Sequence, residues 1–256
     1  MVCKELVLKI EEKYPVDAAL SWDNVGLLVG CTQQDVKRIF VALDLTDEVV
    51  EAAIEEQVDL IVTHHPMLFL PQKKVTDETV VGRRLIRLIQ NHIGCYAAHT
   101  NYDVLGMAEL AGKQLGLLQA EVLEETGWEK EVIGRVGFLP QEMTLGACCE
   151  WVKEKFHLPS VKLFGDMETR VRRAAISPGS GKSMIDLALE KKADVLITGD
   201  IDHHTGIDAV AEGLGIIDAG HYGLEYIFVQ DMAKFLRDCT DAEVLTAKTV
   251  FPFQNV

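Results

Sequence analysis

The chain lacks any apolar run near the roughly 18 residues that a membrane-spanning helix needs, so a membrane protein of that kind is not expected. Lys4, Glu5, Lys9, Glu11 and Glu12 interrupt the apolar residues near the N-terminus. No signal peptide is therefore expected, and the expected compartment is the cytoplasm. Among six cysteines (Cys3, Cys31, Cys95, Cys148, Cys149 and Cys239) there is no C-x-x-C pair. Without an export signal, that spacing predicts free thiols rather than a disulfide framework. Cations are scarce: 25 Lys and Arg stand against 40 Asp and Glu, a net charge of −15. Nucleic acid is thus not expected as the main partner, because phosphate binding needs clustered Lys and Arg. Low-complexity tracts and linkers are absent too.

What is present is an ordinary globular composition, 48% apolar and 25% charged over 256 residues. That length suits one large α/β domain or two smaller lobes. A repeat decides for two. At a shift of 135 positions, residues 27–63 lie over 162–198 without a gap, with eight identities in 37 positions and a matching apolar pattern. Each copy reads as strand, turn, helix, strand. In the first, Arg38–Leu43 is a strand, Thr46 an N-cap and Asp47–Gln57 a helix. In the second, Ala174–Ser177 is the strand and Ser183–Lys192 the helix. Buried strands ending in Thr63 and Thr198 follow, and Gly94–His99 matches Gly215–Gly220 at a shift of 121.

The fold class is therefore α/β, with two similar βαβ-type lobes, mostly parallel sheets and a site in the cleft between them. The expected division is a first lobe over 1–118 (1–26 being its N-terminal helix and loop), a bridge over 119–160 and a second lobe over 161–256. Val2–Lys13 reads as a helix, and so do Val104–Leu115, Leu145–Phe156 and Tyr222–Leu236. Val132–Leu139 reads as a strand, and the acidic stretch 121–131 as loop or strand edge.

Ligands in open α/β sheets bind beyond the carboxyl ends of strands, and metal-binding residue types gather there. His64-His65 closes Val58–Thr63, Asp103 lies just past Gly94–His99, and His221 follows Asp218-Ala219-Gly220 with Glu225 four residues on. Five such groups exceed what one tetrahedral ion uses, which indicates two ions. Imidazole with carboxylate suits zinc, iron, manganese or nickel, and the carboxylates also magnesium. The competing structural readings are a hydrogen-bonded core histidine at 64 or 65, a helix cap at Asp103, and a surface pair at His221 and Glu225. His99 is a candidate for proton transfer. His203 and His204, after Gly199-Asp200, could supply further ligands, line the cleft or shuttle protons, with an exposed loop pair as the structural reading. Pro178-Gly179-Ser180-Gly181-Lys182-Ser183 fails as a P-loop, since Ile176 stands where that motif needs glycine. A helix N-terminus holding an anion and a plain tight turn remain equal readings of it.

The stretches Ser21-Trp22-Asp23-Asn24-Val25-Gly26-Leu27, Thr63-His64-His65-Pro66, His99-Thr100-Asn101-Tyr102-Asp103, Ile197–His204 and Asp218–Glu225 together resemble the Nif-three-like dinuclear-metal-centre family. Its members are commonly named GTP cyclohydrolase 1 type 2 homologues. The resemblance implies a two-lobed protomer in a homo-oligomer, usually a hexameric ring. It also implies metal ligands at His64, His65, Asp103, His221 and Glu225. Glu225 would bridge, His65 and Asp103 would hold one ion, and His64 and His221 the other. The chain departs from the family pattern at Tyr102, where an aliphatic residue is usual, and over Gly106-Met107-Ala108-Glu109. The implied activity is metal-dependent hydrolysis, with a bridging hydroxide as nucleophile and a small molecule, a nucleotide such as GTP or another phosphoester, as substrate. The alternative is a non-catalytic metal-binding or regulatory assembly protein.

Overall fold

The computed structural model describes residues 1–125 and 132–253. In chain order the elements begin with α1 (Cys3–Lys13), β1 (Gly26–Val29), β2 (Arg38–Ala42), α2 (Asp47–Glu55) and β3 (Leu60–Thr63). Next come α3 (Val80–Gln90), β4 (Gly94–Ala97), α4 (Thr100–Tyr102), a π-helical turn over Asp103–Met107, and α5 (Ala108–Leu115). The second half continues with β5 (Leu118–Glu125), β6 (Val132–Thr144), α6 (Leu145–Phe156), β7 (Lys162–Phe164) and β8 (Arg170–Ser180). It ends with α7 (Ile185–Glu190), β9 (Val195–Gly199), α8 (His203–Ala211), β10 (Gly215–Asp218), α9 (His221–Glu225), α10 (Ile227–Cys239) and β11 (Glu243–Thr246).

The chain forms two compact units, one of residues 1–102 and 228–249, the other of 103–227 and 250–256. Each carries one sheet, ordered β1-β4-β3-β2-β11 in the first and β5-β6-β8-β9-β10-β7 in the second. As expected, this is an α/β fold. Strands β4, β3, β2 and β11 run parallel, with β11 at one edge, as do β8, β9 and β10, while β1 and β7 are antiparallel edges. Residues 119–160 contribute the antiparallel β5 and β6 and the helix α6 to the second sheet.

The repeat reaches down to single hydrogen bonds. The Asp59 carboxylate accepts the N–H groups of Lys37 (2.7 Å) and Arg38 (2.9 Å), and Asp194 accepts those of Arg172 (2.7 Å) and Arg173 (2.8 Å). In each copy the carboxylate pins the strand before the helix to the strand after it. The registers that result are Ile39 opposite Leu60 and Ala174 opposite Val195. Gln57 and Lys192, where helix turns into strand, share the left-handed conformation at φ +54° and +56°.

Alternation along the strands explains how the second sheet is covered on both faces. Val195, Ile197 and Ile217 pack with Leu145, Cys148, Val152 and Phe156 of α6. Leu196 and Ile216 point the other way, to Met184, Ile185, Ala188 and Ala209. In the first sheet Phe40, Ile61 and Cys95 pack on Val50 and Ala53 of α2 and Leu88 of α3. The Thr46 hydroxyl caps α2 by accepting the Val49 N–H, as its position predicts.

Several expected boundaries move. The helix expected over Tyr222–Leu236 is two, with α9 ending at Glu225 and α10 beginning at Ile227. That expected at Ser183 opens as a 3-10 turn over Lys182–Met184. The run expected from Val104 starts already at Thr100 and passes through the π-helical turn, so Asp103 sits inside a helical turn rather than capping a helix. The strand expected to stop at Leu139 continues to Thr144. Its register against β8 shifts between Phe138 and Met143, which lets Pro140 sit without a ladder hydrogen bond. Of the acidic stretch, residues 121–125 are the end of β5, and 126–131 lie outside the described residues. No helix among the described residues is long and apolar enough to cross a membrane.

All six cysteines are free thiols, and Cys3, Cys95, Cys148 and Cys149 are buried. Burial pushes the Cys95 and Cys148 thiols up to about 12, where almost no thiolate forms. A maleimide at neutral pH is therefore expected to label exposed Cys31 first and to reach Cys95 and Cys148 only after denaturation, as read by peptide mass mapping.

Candidate metal centre

In the first unit, β3 and β4 lie side by side and parallel, so their carboxyl ends deliver His64-His65 and His99 to one place. One ring nitrogen from each lies within 4.8 Å of the others, close enough to hold one ion. His64 is fully buried, and its Nδ1–H donates to the Ala98 carbonyl at 2.8 Å. His65 turns Nδ1 to the Asp44 carboxylate at 2.7 Å, and His99 turns Nδ1 to Asp23 at 2.9 Å. Each Nδ1 hydrogen bond fixes the orientation of its ring, as the partners of metal-binding histidines characteristically do.

Asp23 is itself firmly held. Its side chain is fully covered, and it accepts from the Thr100 N–H at 3.0 Å and the Thr100 hydroxyl at 2.6 Å. Burial works against its charge, but the hydrogen bonds from His99 and Thr100 prevail and lower its pKa to about 2. Its contribution to stability is therefore intact at neutral pH and fades only as pH falls from about 4 towards 2.

In the second unit, α9 places His221 and Glu225 one turn apart, with Nε2 of the histidine 3.0 Å from the glutamate carboxylate. His221 Nδ1 meets the Asp200 carboxylate at 2.7 Å. Asp200 holds the left-handed conformation at φ +58°, which a short polar side chain tolerates better than most. Burial opposes a charged imidazole here, yet Glu225 and Asp200 outweigh it and raise the His221 pKa to about 9.

Glycines make the room. An added methyl at Gly179, whose φ is +78°, would lie 2.5 Å from a Glu225 carboxylate oxygen. At Gly199 it would lie 2.5 Å from the His221 nitrogen, and at Gly181 it would collide with the Thr198 hydroxyl. The strand expected over Ala174–Ser177 instead runs on to Ser180 as β8, so Gly179 at its end and Gly181 just past it give clearance to Glu225 and Thr198, and α7 begins only after the 3-10 turn.

In the same unit Asp103 offers a carboxylate oxygen within 4.8 Å of one of Glu225, close enough to share an ion. Asp103, half-buried, lies in the π-helical turn, a local geometry frequent at functional sites. His203 and His204 stand exposed on the first turn of α8 with their rings 5.1 Å apart. Among the described residues neither belongs to a group able to hold an ion. Sequence reasoning missed Asp44 and Asp23 and left Asp200 undecided. The usable signal was position: Asp44 closely follows β2 and Asp200 directly follows β9, as His64 follows β3.

These features define a class, an α/β protein whose histidine and acidic groups could bind a metal ion. The chain belongs to the DUF34/NIF3 (NGG1p interacting factor 3) family, which it matches over residues 1–252. It is 38% identical over 237 residues to a protein of Clostridium acetobutylicum named GTP cyclohydrolase 1 type 2 homolog, covering 91% of this chain and 88% of that one. Among solved structures it is similar to a Bacillus cereus protein related to NIF3, with a TM-score of 0.93, 25% identity and coverage of 100% and 99%. It is also similar to reduced HcgD from Methanocaldococcus jannaschii, with a TM-score of 0.84, 31% identity and coverage of 96% and 97%.

Proposed function

We propose that this chain is a metal-dependent hydrolase of a small molecule, a nucleotide being the first choice. Its ligands would be His64, His65, Asp103, His221 and Glu225, holding two divalent ions with Glu225 as the shared carboxylate. The observation that carries this reading is the commitment of Nδ1 in His64, His65 and His221 to a carbonyl or carboxylate at 2.7–2.8 Å. Metal-binding histidines are characteristically oriented in this way, and a donor set of imidazoles and carboxylates fits zinc, iron, manganese or nickel. Bound divalent ions would supply Lewis-acid activation of water for hydrolysis. The rest falls to the chain itself. Asp23 holds His99 for proton transfer, and His203 and His204 offer exposed groups for the same task. On this reading the protein works in the cytoplasm as a homo-oligomer, a hexameric ring on the family pattern.

The relatives' printed name suggests GTP as the first substrate to test. Protein with metal content confirmed by elemental analysis is incubated with GTP, and nucleotide loss and formate release are followed, with Glu225→Gln as control. Turnover by wild type alone supports the hydrolase. If metal-loaded wild type leaves both GTP and a phosphoester panel intact, the non-catalytic metal-binding alternative takes its place.

The proton on His221 gives a second expected result. Metal must displace it, so apparent affinity is expected to rise nearly tenfold per pH unit between about 7 and 9 and to level off above. Asp200→Asn removes one charge that raises this pKa, so the plateau should begin at lower pH. A metal titration by calorimetry in two buffers of different ionisation enthalpy reads the released proton directly. Affinity independent of pH over this range would remove His221 from the ligand set.

A further inference from the structure

Two loops of the first unit present an exposed aromatic pair beside the histidine cluster. Trp22 is 56% exposed and Phe69 50%, their ring centroids lie 5.7 Å apart, and the indole meets the His99 ring edge-on at 6.0 Å. Neither loop hangs free. Asp23, next to Trp22, is itself anchored to His99 and Thr100, and the Leu20 N–H donates to the Thr100 hydroxyl at 2.9 Å. The Asn24 side-chain amide donates to the Leu68 carbonyl, tying the loop of Trp22 to that of Phe69.

Large aromatics left in water forgo a sizeable burial free energy, and here the backbone around them is tied down by hydrogen bonds. With Leu70, 67% exposed, the patch amounts to roughly 300–400 Å² of apolar surface by usual side-chain areas. A second copy of the chain would need about 800 Å² a side for a stable contact. A patch of this size rimmed by polar groups fits a small ligand better.

We propose that Trp22 and Phe69 form a stacking platform for a planar heteroaromatic ring and select substrates carrying one. A ring laid on the indole has its edge at His99, so its reacting part faces the cluster of His64, His65 and His99. This deepens the hydrolase reading by assigning its substrate class. The platform itself needs no metal, because Asp23, Thr100 and Asn24 hold it, and that separates the two ideas experimentally.

The test is calorimetric binding of guanosine, riboflavin and nicotinamide, with ribose as the non-aromatic control, to metal-free and metal-loaded protein. At least one heteroaromatic probe is expected to bind both forms while ribose binds neither. Trp22→Ala should weaken that binding at least tenfold and Trp22→Phe only two- to threefold, with metal content by elemental analysis unchanged in both. Unchanged probe affinity in Trp22→Ala overturns the platform, even where metal binding and turnover persist. So does failure of all three probes with wild type. A Trp22→Ala protein that binds probes normally but changes its sedimentation coefficient assigns the patch to contact between copies instead. Probe binding by metal-loaded wild type that turns over neither GTP nor any phosphoester would leave the platform standing while the hydrolase reading fell.

Discussion

If His221 and Glu225 hold metal as proposed, Gly199→Ala is expected to strip it while leaving the protein folded. The new methyl would lie 2.5 Å from the His221 nitrogen, 2.8 Å from the Gly220 carbonyl carbon and 2.9 Å from the Gly179 carbonyl oxygen. All three are backbone atoms, so no side-chain rotation relieves the clash, and the β10–α9 turn must move. Overpacking of this kind typically costs roughly 1–3 kcal/mol. The functional loss should be larger in proportion, because ligand geometry tolerates far less displacement than packing does. Metal retained after dialysis is expected to fall more than tenfold, measured by elemental analysis beside a thermal melt. Full metal content in a folded Gly199→Ala protein would show that α9 does not need its present seat on β9.

The second large effect concerns the paired carboxylates of the repeat. Asp59→Ala leaves the N–H groups of Lys37 and Arg38 without their acceptor, and Asp194→Ala does the same to Arg172 and Arg173. Hydrogen bonds to an ionised group are worth about 1.5–3 kcal/mol each, less where water can replace the acceptor. Both carboxylates are partly exposed, so about 3 kcal/mol per variant is expected. Each change removes a restraint on register between parallel strands whose alternate faces are buried, where a slip of one residue would invert the core pattern. Urea unfolding should show similar losses for the two variants, partly restored by Asn. A loss below about 0.5 kcal/mol in either would mean that the apolar pattern alone sets the register there.

The repeat was legible because strands ending in Thr63 and Thr198 carry strong local patterns, and because Asp59 and Asp194 are identical across it. The histidines at 64, 65 and 221 stood out for a related reason: strand ends are where an α/β sheet gathers its polar groups. Their supporting carboxylates did not. Asp44 and Asp23 lie 21 and 76 residues from the histidines they orient, and an aspartate after a strand reads equally well as a turn. The strand over Val132–Leu139 was legible, but its extension to Thr144 was hidden by Pro140, beside which the register against β8 shifts. Nothing local marks Glu243–Thr246 as the partner of Arg38–Ala42, since that pairing exists only once some two hundred residues are brought together.

That last pairing has a consequence for synthesis. Residues 1–102 are made first, but the unit they belong to also contains α10 and β11. At translation rates of about 5–20 residues per second, roughly seven to thirty seconds separate β4 from β11. Throughout that interval β2 offers the ribosome's surroundings an open edge, with Ile39 and Val41 among its side chains. The other unit, nearly continuous over 103–227, has most of its sheet before the first can close. The lobe begun first is thus completed late, and a chaperone that shields nascent strand edges would find its target in β2.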